Sequence, residues 1–315
     1  VNDTTIEKGL HMTYDPGFIN GETVVFPRLS DRLQAEAFDA GAPVEHSRFS
    51  IVMHAVRGLA IFTAHTIDGA TMIDEGEIPR KDRFRFDPTI PREVQTDNDK
   101  GYYKNDWDRG HLVRRRSMHW GNRGAAEQAD RESYYWSNIA PQHHKLQDKA
   151  WGKIEDWMLE NAEGGDRRAI IFTGPVLSPD DPEIINRPGE EPLQIPAGFW
   201  KIIAVKPATK LRAAAFLVWQ RDFDHDTPVD FAPYLEQVRI TTIEFITGLS
   251  FGELRKADPL RFDTEPVEPA DDEFLDDSGL EFGIPGRGPT ERPQREPVTR
   301  AVRPMAVNSA SDIVM

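Results

Sequence analysis

The order of apolar and polar positions along the chain predicts short buried strands separated by a few helices. Apolar runs of strand length lie in 46–70, which accounts for two strands, and in 168–177, 199–206 and 212–219. Tyr134 to Trp136 fits a further aromatic strand. Helical periodicity and end signals predict helices over about 31–40, 125–132, 148–161, 231–237 and 241–247. The chain therefore predicts a mixed α+β fold, in which helices pack on a central antiparallel β-sheet and the 148–161 helix lies against one face.

Composition divides the chain into three parts. Residues 1–45 form an irregular lead-in, 46–256 hold the predicted strands and helices with a charged surface loop at 71–107, and 257–315 form an extended tail. In the tail, 263–282 contain nine acidic and no basic residues, whereas 283–304 contain five arginines and two glutamates among prolines and glycines. Such a segment buries too little apolar surface to fold alone. It would be a solvating tail, an arm over the neighbouring subunit of a homodimer, or an acidic cover for a basic cleft.

The composition also limits the class of protein. A chain of 315 residues with 38% hydrophobic content can bury a good-sized core, and it contains no apolar run of 18 residues that would span a membrane. Its first residues have neither the basic nor the apolar segment of a secretory signal, and a start at Val1 fits a piece of a longer chain. The absence of cysteine excludes disulfides, zinc–thiolate sites and thiol catalysis, but it leaves the compartment undetermined.

Three motifs in a fixed order hold the candidate chemistry. They are Asp108-Arg109-Gly110-His111, Ser137-Asn138-Ile139-Ala140-Pro141-Gln142, and the stretch from Leu146 to Glu155. A lone four-residue match is weak evidence, whereas the ordered triplet is specific. Hydrolysis of a phosphodiester needs a base for the attacking water, a cation on the developing charge, and stabilisation of the departing oxygen.

The motif residues supply these groups. His111 titrates near neutral pH and is the candidate base. Arg109 offers a planar fork of donors matched to phosphate oxygens, and Gly110 would allow a tight turn between the two. A hard divalent cation such as Mg²⁺ takes oxygen ligands and keeps several waters. Oxygens of that type are carried by Asn138, Gln147 and Glu155.

With these motifs the chain resembles the DNA/RNA non-specific endonucleases of the ββα-metal (His-Me finger) class, the endonuclease G-like enzymes. The similarity covers about residues 45–256, with strand segments near 49–52, 59–69 and 170–177 followed in the family's order by matching segments near 195–203, 212–219 and 243–251. The resemblance implies a magnesium-dependent enzyme, with manganese as an alternative ion. It would cleave DNA and RNA with little base specificity and leave a 5′-phosphate and a 3′-hydroxyl.

The same resemblance implies roles for the motif residues. His111 would be the general base and Arg109 a phosphate or transition-state contact. Asp108 and Asn138 would complete the catalytic group, with Asn138 orienting the others. Glu155 would hold metal-bound water.

The position of the family's direct metal ligand differs in this chain. The family has an asparagine there, and this chain has Gln147. The additional methylene moves the amide oxygen by about 1.5 Å, whereas a metal site tolerates ligand errors of only about 0.2 Å. Either the backbone is shifted at this position, or Asp148 or another oxygen shares the ligation.

Arginines near the motifs are candidates for nucleic-acid contacts. A family arginine precedes the first motif by a few tens of residues, and Arg80, Arg83 and Arg85 all lie near its place, with no choice made among them. Arg114 and Arg115 would clamp the phosphate backbone, although a charge run is more often a solvated face. The net charge of −15 argues against a polyanionic partner, but the acidic part of the tail weakens that objection.

Two other functions stay open. Gln147 is compatible with a nucleic-acid-binding module that cleaves weakly or not at all, and binding without metal-dependent cleavage would favour it. A nuclease effector domain released from a larger protein fits the same chemistry. A fused regulatory domain or an inhibitor that blocks the cleft until activation would favour the effector.

Overall fold

The apolar strands pair into one large antiparallel sheet. The structure, a computed structural model, describes residues 13–74, 76–81, 83–105, 107–143, 146, 154, 168–207, 209–220, 235–261, 305–306 and 313. Within them the strands are β1 (Arg28–Leu29), β2 (Val44–His46), β3 (Phe49–Met53), β4 (Ala60–Asp68), β5 (Trp107–His111), β6 (Ile139–His143), β7 (Arg168–Val176), β8 (Glu183–Ile184), β9 (Leu193–Gln194), β10 (Gly198–Val205), β11 (Arg212–Trp219), β12 (Leu235–Val238), β13 (Leu249–Ser250) and β14 (Met305–Ala306). The α-helices are α1 (Asp31–Glu36), α2 (Asn98–Gly101), α3 (Arg123–Ser133) and α4 (Ile240–Thr247), with short 3-10 helices between the elements.

Eight of these strands form the large sheet, in the order β14-β12-β11-β10-β7-β4-β3-β2. Every neighbouring pair is antiparallel, for example Ile202 opposite Phe172 and Ala215. The predicted α+β fold with a central antiparallel sheet is therefore confirmed. No helix among the described residues has the length and apolar character needed to cross a membrane.

Side chains alternate between the two faces of the sheet. On β7, Ile170 and Phe172 lie on one face and Ala169 and Ile171 on the other, and all four are fully buried. Residues of α4 pack on the first face, whereas those that follow His111 pack on the second, which we call the site face. Burial of each large apolar side chain contributes about 1.5–3 kcal/mol. Because both faces are covered, the central strands appear in the sequence as continuous apolar runs.

A separate ribbon made of β5 and β6 carries the first two motifs. Its register pairs Arg109 with Pro141 and His111 with Ile139. Gln220, which follows β11, fastens the ribbon to the large sheet. Its Nε2 donates to the carbonyls of Pro141 (3.1 Å) and Pro196 (2.8 Å), and its Oε1 accepts from the backbone N–H of His143 (3.1 Å). A buried amide side chain thus fixes where the ribbon lies.

Segments outside residues 46–256 also pack on the sheet. Phe18 and Ile19 are buried in the first-face core, and β1 pairs with β13. Beyond residue 261, β14 pairs with β12, with Ala306 opposite Glu236, and Ile313 packs against the site-face core. The tail therefore returns to the sheet edge at its described residues, while the charged segment 263–304 lies outside the described part of the chain.

Three predicted elements differ from the structure. The helix over 231–237 is wrong at its described end, because Leu235–Val238 pairs with β11 as β12. The strand over Tyr134 to Trp136 is wrong, because a turn leads into a 3-10 helix there and Tyr135 makes only a single bridge, to Arg85. The helix over 31–40 ends at Glu36, since Ala37 is extended and Asp39 and Ala40 have φ of 49° and 50°.

Candidate active site

The first motif lies on β5. Because side chains alternate along a strand, Arg109 and His111 point to the same side, while Asp108 and Gly110 point to the other. Arg109 is exposed and His111 is half-buried. The strand therefore places a cation and an imidazole on the same side of the ribbon.

Phe84, which the motif analysis missed, is an aromatic residue that organises this surface. Its ring lies 5.7 Å from the ring of His111 and stacks on Trp136 at 5.1 Å, and the Arg109 guanidinium carbon lies 5.3 Å from its centroid. Tyr134 lies edge-on to the imidazole at 5.2 Å and also contacts the Phe84 ring at 5.2 Å, so the three rings form one cluster. These contacts restrict the rotation of His111. The only signal in the sequence was a single aromatic residue between two arginines in a polar loop.

Gly110 has a different role from the one predicted. Its φ is not positive, and it lies in regular strand conformation rather than in a turn. A Cβ at this position would lie 2.1 Å from Cδ and 2.4 Å from Cγ of Gln142 on the paired strand. Glycine is needed here because the buried Gln142 side chain occupies the space of a side chain at 110.

Asn138 fixes the chain immediately after His111. Its Oδ1 accepts from the Val113 N–H (2.9 Å), and its Nδ2 donates to the carbonyls of Val113 (3.0 Å) and Ser133 (2.9 Å). The side chain is fully buried. Its amide therefore orients the end of β5, and its donors are used within the protein.

A second buried network lies behind the ribbon and is centred on Asp87. This carboxylate contacts His46 Nε2 at 3.0 Å and accepts from the hydroxyls of Thr89 (2.6 Å) and Ser137 (3.2 Å). Burial acts to raise the pKa of Asp87, but hydrogen bonding and the charge of His46, together with the Thr89 bonds, outweigh it and leave the pKa below its ordinary value. The network ties β2 and the Phe84 loop to the residue preceding Asn138.

The predicted nucleic-acid arginines fall into two groups. Arg80 and Arg83 are exposed, and Arg85 stacks over Tyr135 at 4.5 Å. Arg114 is half-buried. Arg115 instead faces the protein, with its Nε 2.6 Å from Asp130 Oδ1 and its Nη2 donating to the Ile78 carbonyl.

Asp130 explains the position of Arg115. The same carboxylate oxygen lies 2.7 Å from Nε2 of the buried His119, so Asp130 joins α3 to the 3-10 helix that follows β5. A guanidinium held in this way supports the fold, and its geometry does not favour the phosphate contact that the sequence suggested.

The two predicted metal-site residues, Gln147 and Glu155, and the predicted helix over 148–161 lie outside the described residues, apart from Ile154. Leu146 and Ile154 are helical and buried in the site-face core with Leu112 and Ala140. No group of three or more His, Asp or Glu side chains able to hold a metal occurs within the part of the chain that the structure describes.

Comparison with known proteins bears on this arrangement. The model of the DNA/RNA non-specific endonuclease family matches residues 30–258. This chain belongs to that family. The match begins at the residue that caps α1 and includes both β5 and β6. Phe84 and Asp87, which motif analysis missed, thus lie in the endonuclease-family region.

The relatives share only part of their length with this endonuclease-family chain. Protein y4fB of Sinorhizobium fredii, which is uncharacterized, is 34% identical over 203 residues, covering 60% of this chain and 29% of that protein. The mitochondrial nuclease EXOG of Danio rerio is 28% identical over 188 residues, covering 56% of this chain and 51% of EXOG. The chain therefore spans at most about half the length of these two relatives.

A solved structure shares the fold. The EndoG/EndoGI complex, determined to explain EndoG inhibition, contains a chain that matches with a TM-score of 0.56 at 20% sequence identity. The match covers 72% of the endonuclease-family chain described here and 93% of the other. The common fold is an α+β arrangement around an antiparallel sheet.

Proposed function

We propose that this protein is a divalent-metal-dependent endonuclease that hydrolyses phosphodiester bonds in DNA and RNA with little base specificity, leaving 5′-phosphates. The observation that carries the proposal is the presentation of Arg109 and His111 on one side of β5 within the endonuclease-family region. Neither residue alone would support it, because an isolated arginine or histidine has common structural uses.

His111 is the proposed general base. The ring contacts with Phe84 and Tyr134, and the hydrogen bonds that Asn138 makes to Val113, hold the imidazole and its strand end in place. A fixed imidazole removes the proton from an attacking water without having to be ordered in the reaction. Such a base contributes about 10²–10⁴-fold to a rate.

Arg109 is the proposed phosphate contact. In the structure its Nη2 donates to the neutral amide oxygen of Asn98 at 2.6 Å, and the side chain is exposed. A substrate phosphate would exchange this neutral acceptor for a charged one, which forms a stronger hydrogen bond. The same charge would stabilise the negative charge that develops on the phosphate during the reaction.

The proposed metal ligands are Gln147 and Glu155. Their amide and carboxylate oxygens fit a magnesium ion chemically, and their described sequence neighbours Leu146 and Ile154 are buried in the site-face core. When bound, the ion would supply positive charge near the departing 3′-oxygen. The Asn138 amide is unsuited to the same task, because the side chain is fully buried and both ends of the amide are hydrogen-bonded within the protein.

The test is cleavage of supercoiled plasmid and of unstructured RNA, with magnesium and with EDTA. We expect both substrates to be cut only with the metal, and the products to accept ligation through a 5′-phosphate. The His111→Ala variant should lose at least about 10²-fold in rate while its nucleic-acid affinity in EDTA is retained. His54→Ala, a histidine that contacts Glu36 outside the ribbon, is the matched control. Cleavage by His111→Ala at the wild-type rate would remove His111 from the mechanism.

One observation favours a second candidate, a nucleic-acid-binding module. Gln147 replaces the asparagine expected at the ligand position, and a shifted ligand weakens a magnesium site. Binding of plasmid with no cleavage under magnesium or manganese would support the module and contradict the endonuclease.

A further inference from the structure

An exposed cluster of two cations and a tyrosine lies next to the ribbon and has no role in the proposed chemistry. We call it the Arg187 patch, and it consists of Tyr103, Lys104 and Arg187. The guanidinium carbon of Arg187 lies 3.7 Å from the centroid of the Tyr103 ring, and Lys104 Nζ lies 5.1 Å from it. About 38% of the Arg187 side chain is exposed. The two cations, Lys104 and Arg187, are more than 80 positions apart in sequence, so the patch forms only when the chain folds.

Half-buried amides fix the position of the patch against β5. Asn186 Nδ2 donates to the Asp99 carbonyl at 2.8 Å, and Asn105 Nδ2 donates to Asn186 Oδ1 at 3.0 Å. Asn105 Oδ1 also accepts from the N–H of Trp107, the first residue of β5. The segment between β8 and β9 is therefore anchored to the start of the strand that ends in His111.

The patch is also linked to Arg109 by polar contacts. Arg187 Nη1 lies 3.0 Å from Asp99 Oδ2, Asn98 Nδ2 donates to Asp99 Oδ1 at 3.4 Å, and Asn98 Oδ1 accepts from Arg109. Asp99 is the acidic member of this chain of contacts, and Lys104 and Arg187 outnumber it. Hydrogen bonding from Lys104, and then from Arg187, lowers the pKa of the Tyr103 hydroxyl, in agreement with a positive local potential.

From this geometry we propose that the Arg187 patch binds backbone phosphates of the nucleic-acid strand adjacent to the scissile bond. The inference rests on the proposed nuclease function and extends it to a substrate contact on the β8–β9 segment. Along β5, the five residues from Trp107 to His111 cover about 13 Å. Because each strand of a duplex advances about 3.4 Å per nucleotide, a contact at the start of β5, where Asn105 anchors the patch, would meet phosphates about four nucleotides from the one at His111.

The ring of Tyr103 serves this contact indirectly. The Arg187 guanidinium covers one face of the ring, so that face cannot stack on a base. It instead holds the planar guanidinium in a fixed orientation, which reduces the entropy that the side chain loses when it binds phosphate. Contacts of this kind do not depend on base sequence, as expected for a non-specific enzyme.

The test measures binding of a labelled 20-nucleotide single strand and of the matching duplex by fluorescence anisotropy, in EDTA, across a salt series. Each phosphate contact contributes about 0.9 to the slope of log K against log salt for a duplex and about 0.7 for a single strand. We expect Arg187→Gln and Lys104→Gln each to reduce the slope by about these amounts. Lys256→Gln, which removes an exposed cation paired with Glu253 on the opposite side of the sheet, is the matched control and should leave it unchanged.

Two outcomes would contradict the proposal that the Arg187 patch binds phosphate. One is a wild-type slope in both patch variants, and the other is an equal loss of slope in Lys256→Gln. Thermal unfolding of each variant shows whether a loss of slope comes from a damaged fold. A variant with a lowered unfolding temperature is replaced by Tyr103→Leu, which removes the ring that supports Arg187 without a change in charge. This variant should weaken binding several-fold.

The binding assay does not require catalysis, so the two proposals can fail separately. If the patch variants reduce the salt slope of binding but the wild-type protein cuts no substrate, the phosphate-binding role of the patch is supported and the endonuclease proposal is contradicted. An active protein that keeps the wild-type slope in both patch variants would support the endonuclease and contradict the patch.

Discussion

At the scale of single residues, the close approach of Gly110 to Gln142 is a constraint on the catalytic strand. The missing Cβ would overlap three side-chain atoms of a buried residue, so any other amino acid must push β5 away from β6. Since Arg109 and His111 flank this position, a small displacement of the strand moves both proposed catalytic groups. A misplacement of about 1 Å can cost about 10²-fold in rate.

Gly110→Ala is therefore expected to reduce cleavage by about 10²-fold while the protein stays folded. The additional substitution Gln142→Ala frees the space and should restore a large part of the rate. Steady-state cleavage of plasmid DNA by the two single variants and the double variant measures the coupling. If Gln142→Ala gives no recovery in the Gly110→Ala background, the steric explanation is wrong.

The proposed metal ligand Gln147 is the second position at which a single substitution tests the proposed site. Magnesium demands near-ideal octahedral geometry, and manganese tolerates departures from it more readily. We expect Gln147→Asn, which restores the family residue, to lower the magnesium concentration needed for half-maximal cleavage more than the manganese concentration. Metal titrations of wild type and variant provide the comparison, and identical curves for both metals in both proteins would contradict the proposed ligand role.

At the scale of elements, Asp87 joins three segments that are distant in the sequence. Through His46, Thr89 and Ser137 it connects β2, the loop after Phe84 and the 3-10 helix before β6. The folded-state pKa of Asp87 is lowered, so its contribution to stability is fully present above the ordinary carboxyl pKa and is lost as the pH falls through the folded value.

We expect Asp87→Asn to destabilise the protein by about 1–3 kcal/mol at pH 7, because it removes charge-assisted hydrogen bonds from a buried site. The difference from wild type should shrink as the pH falls below about 4, where the carboxylate becomes protonated in the unfolded chain, and towards the lower folded-state pKa of Asp87. Urea unfolding from pH 3 to pH 7 measures this. Asp180→Asn, an exposed carboxylate, is the control. A difference that stays constant over this pH range would exclude the ionised carboxylate as the cause.

At the scale of the whole molecule, the charged tail connects to the sheet at its far end. Residues 263–282 are acidic, β14 pairs with β12, and Ile313 packs on the site-face core. The tail is therefore expected to act in two separable ways, by repelling phosphate and by extending the sheet.

Removal of 263–315 should increase cleavage at low salt, because it removes more acidic than basic charge, and the gain should shrink at 1 M salt, where the Debye length is about 3 Å. It should also lower the free energy of unfolding by about 1–3 kcal/mol through the loss of β14 and Ile313. A full-length variant with the nine acidic residues of 263–282 replaced by Asn and Gln should show only the salt-dependent gain.

Sedimentation of both tail variants distinguishes the remaining interpretations. Dissociation of an oligomer after truncation would assign the tail to a subunit contact. If the oligomer size and the salt dependence of cleavage are both unchanged, the tail only solvates the protein, and the proposed repulsion of phosphate by its acidic residues is wrong.

The sequence by itself determined the elements whose signals are local. Continuous apolar runs predicted β4, β7, β10 and β11, because a strand covered on both faces has no polar side. The family resemblance implied that Asn138 orients the catalytic group, and in the structure its amide holds the residue Val113 just beyond His111. The residue types of the motifs indicated phosphodiester chemistry before any contact was known.

Only the tertiary structure decided what depends on partners distant along the chain. Leu235–Val238 is a strand because β11 offers a free edge, and Arg115 faces inward because Asp130 lies on the next helix. Phe84 reaches His111 through a loop with no periodic pattern. In each case the deciding free energy comes from hydrogen bonds and burial between segments that local sequence does not bring together, and the same reason explains why the Arg187 patch appears only once the chain is folded.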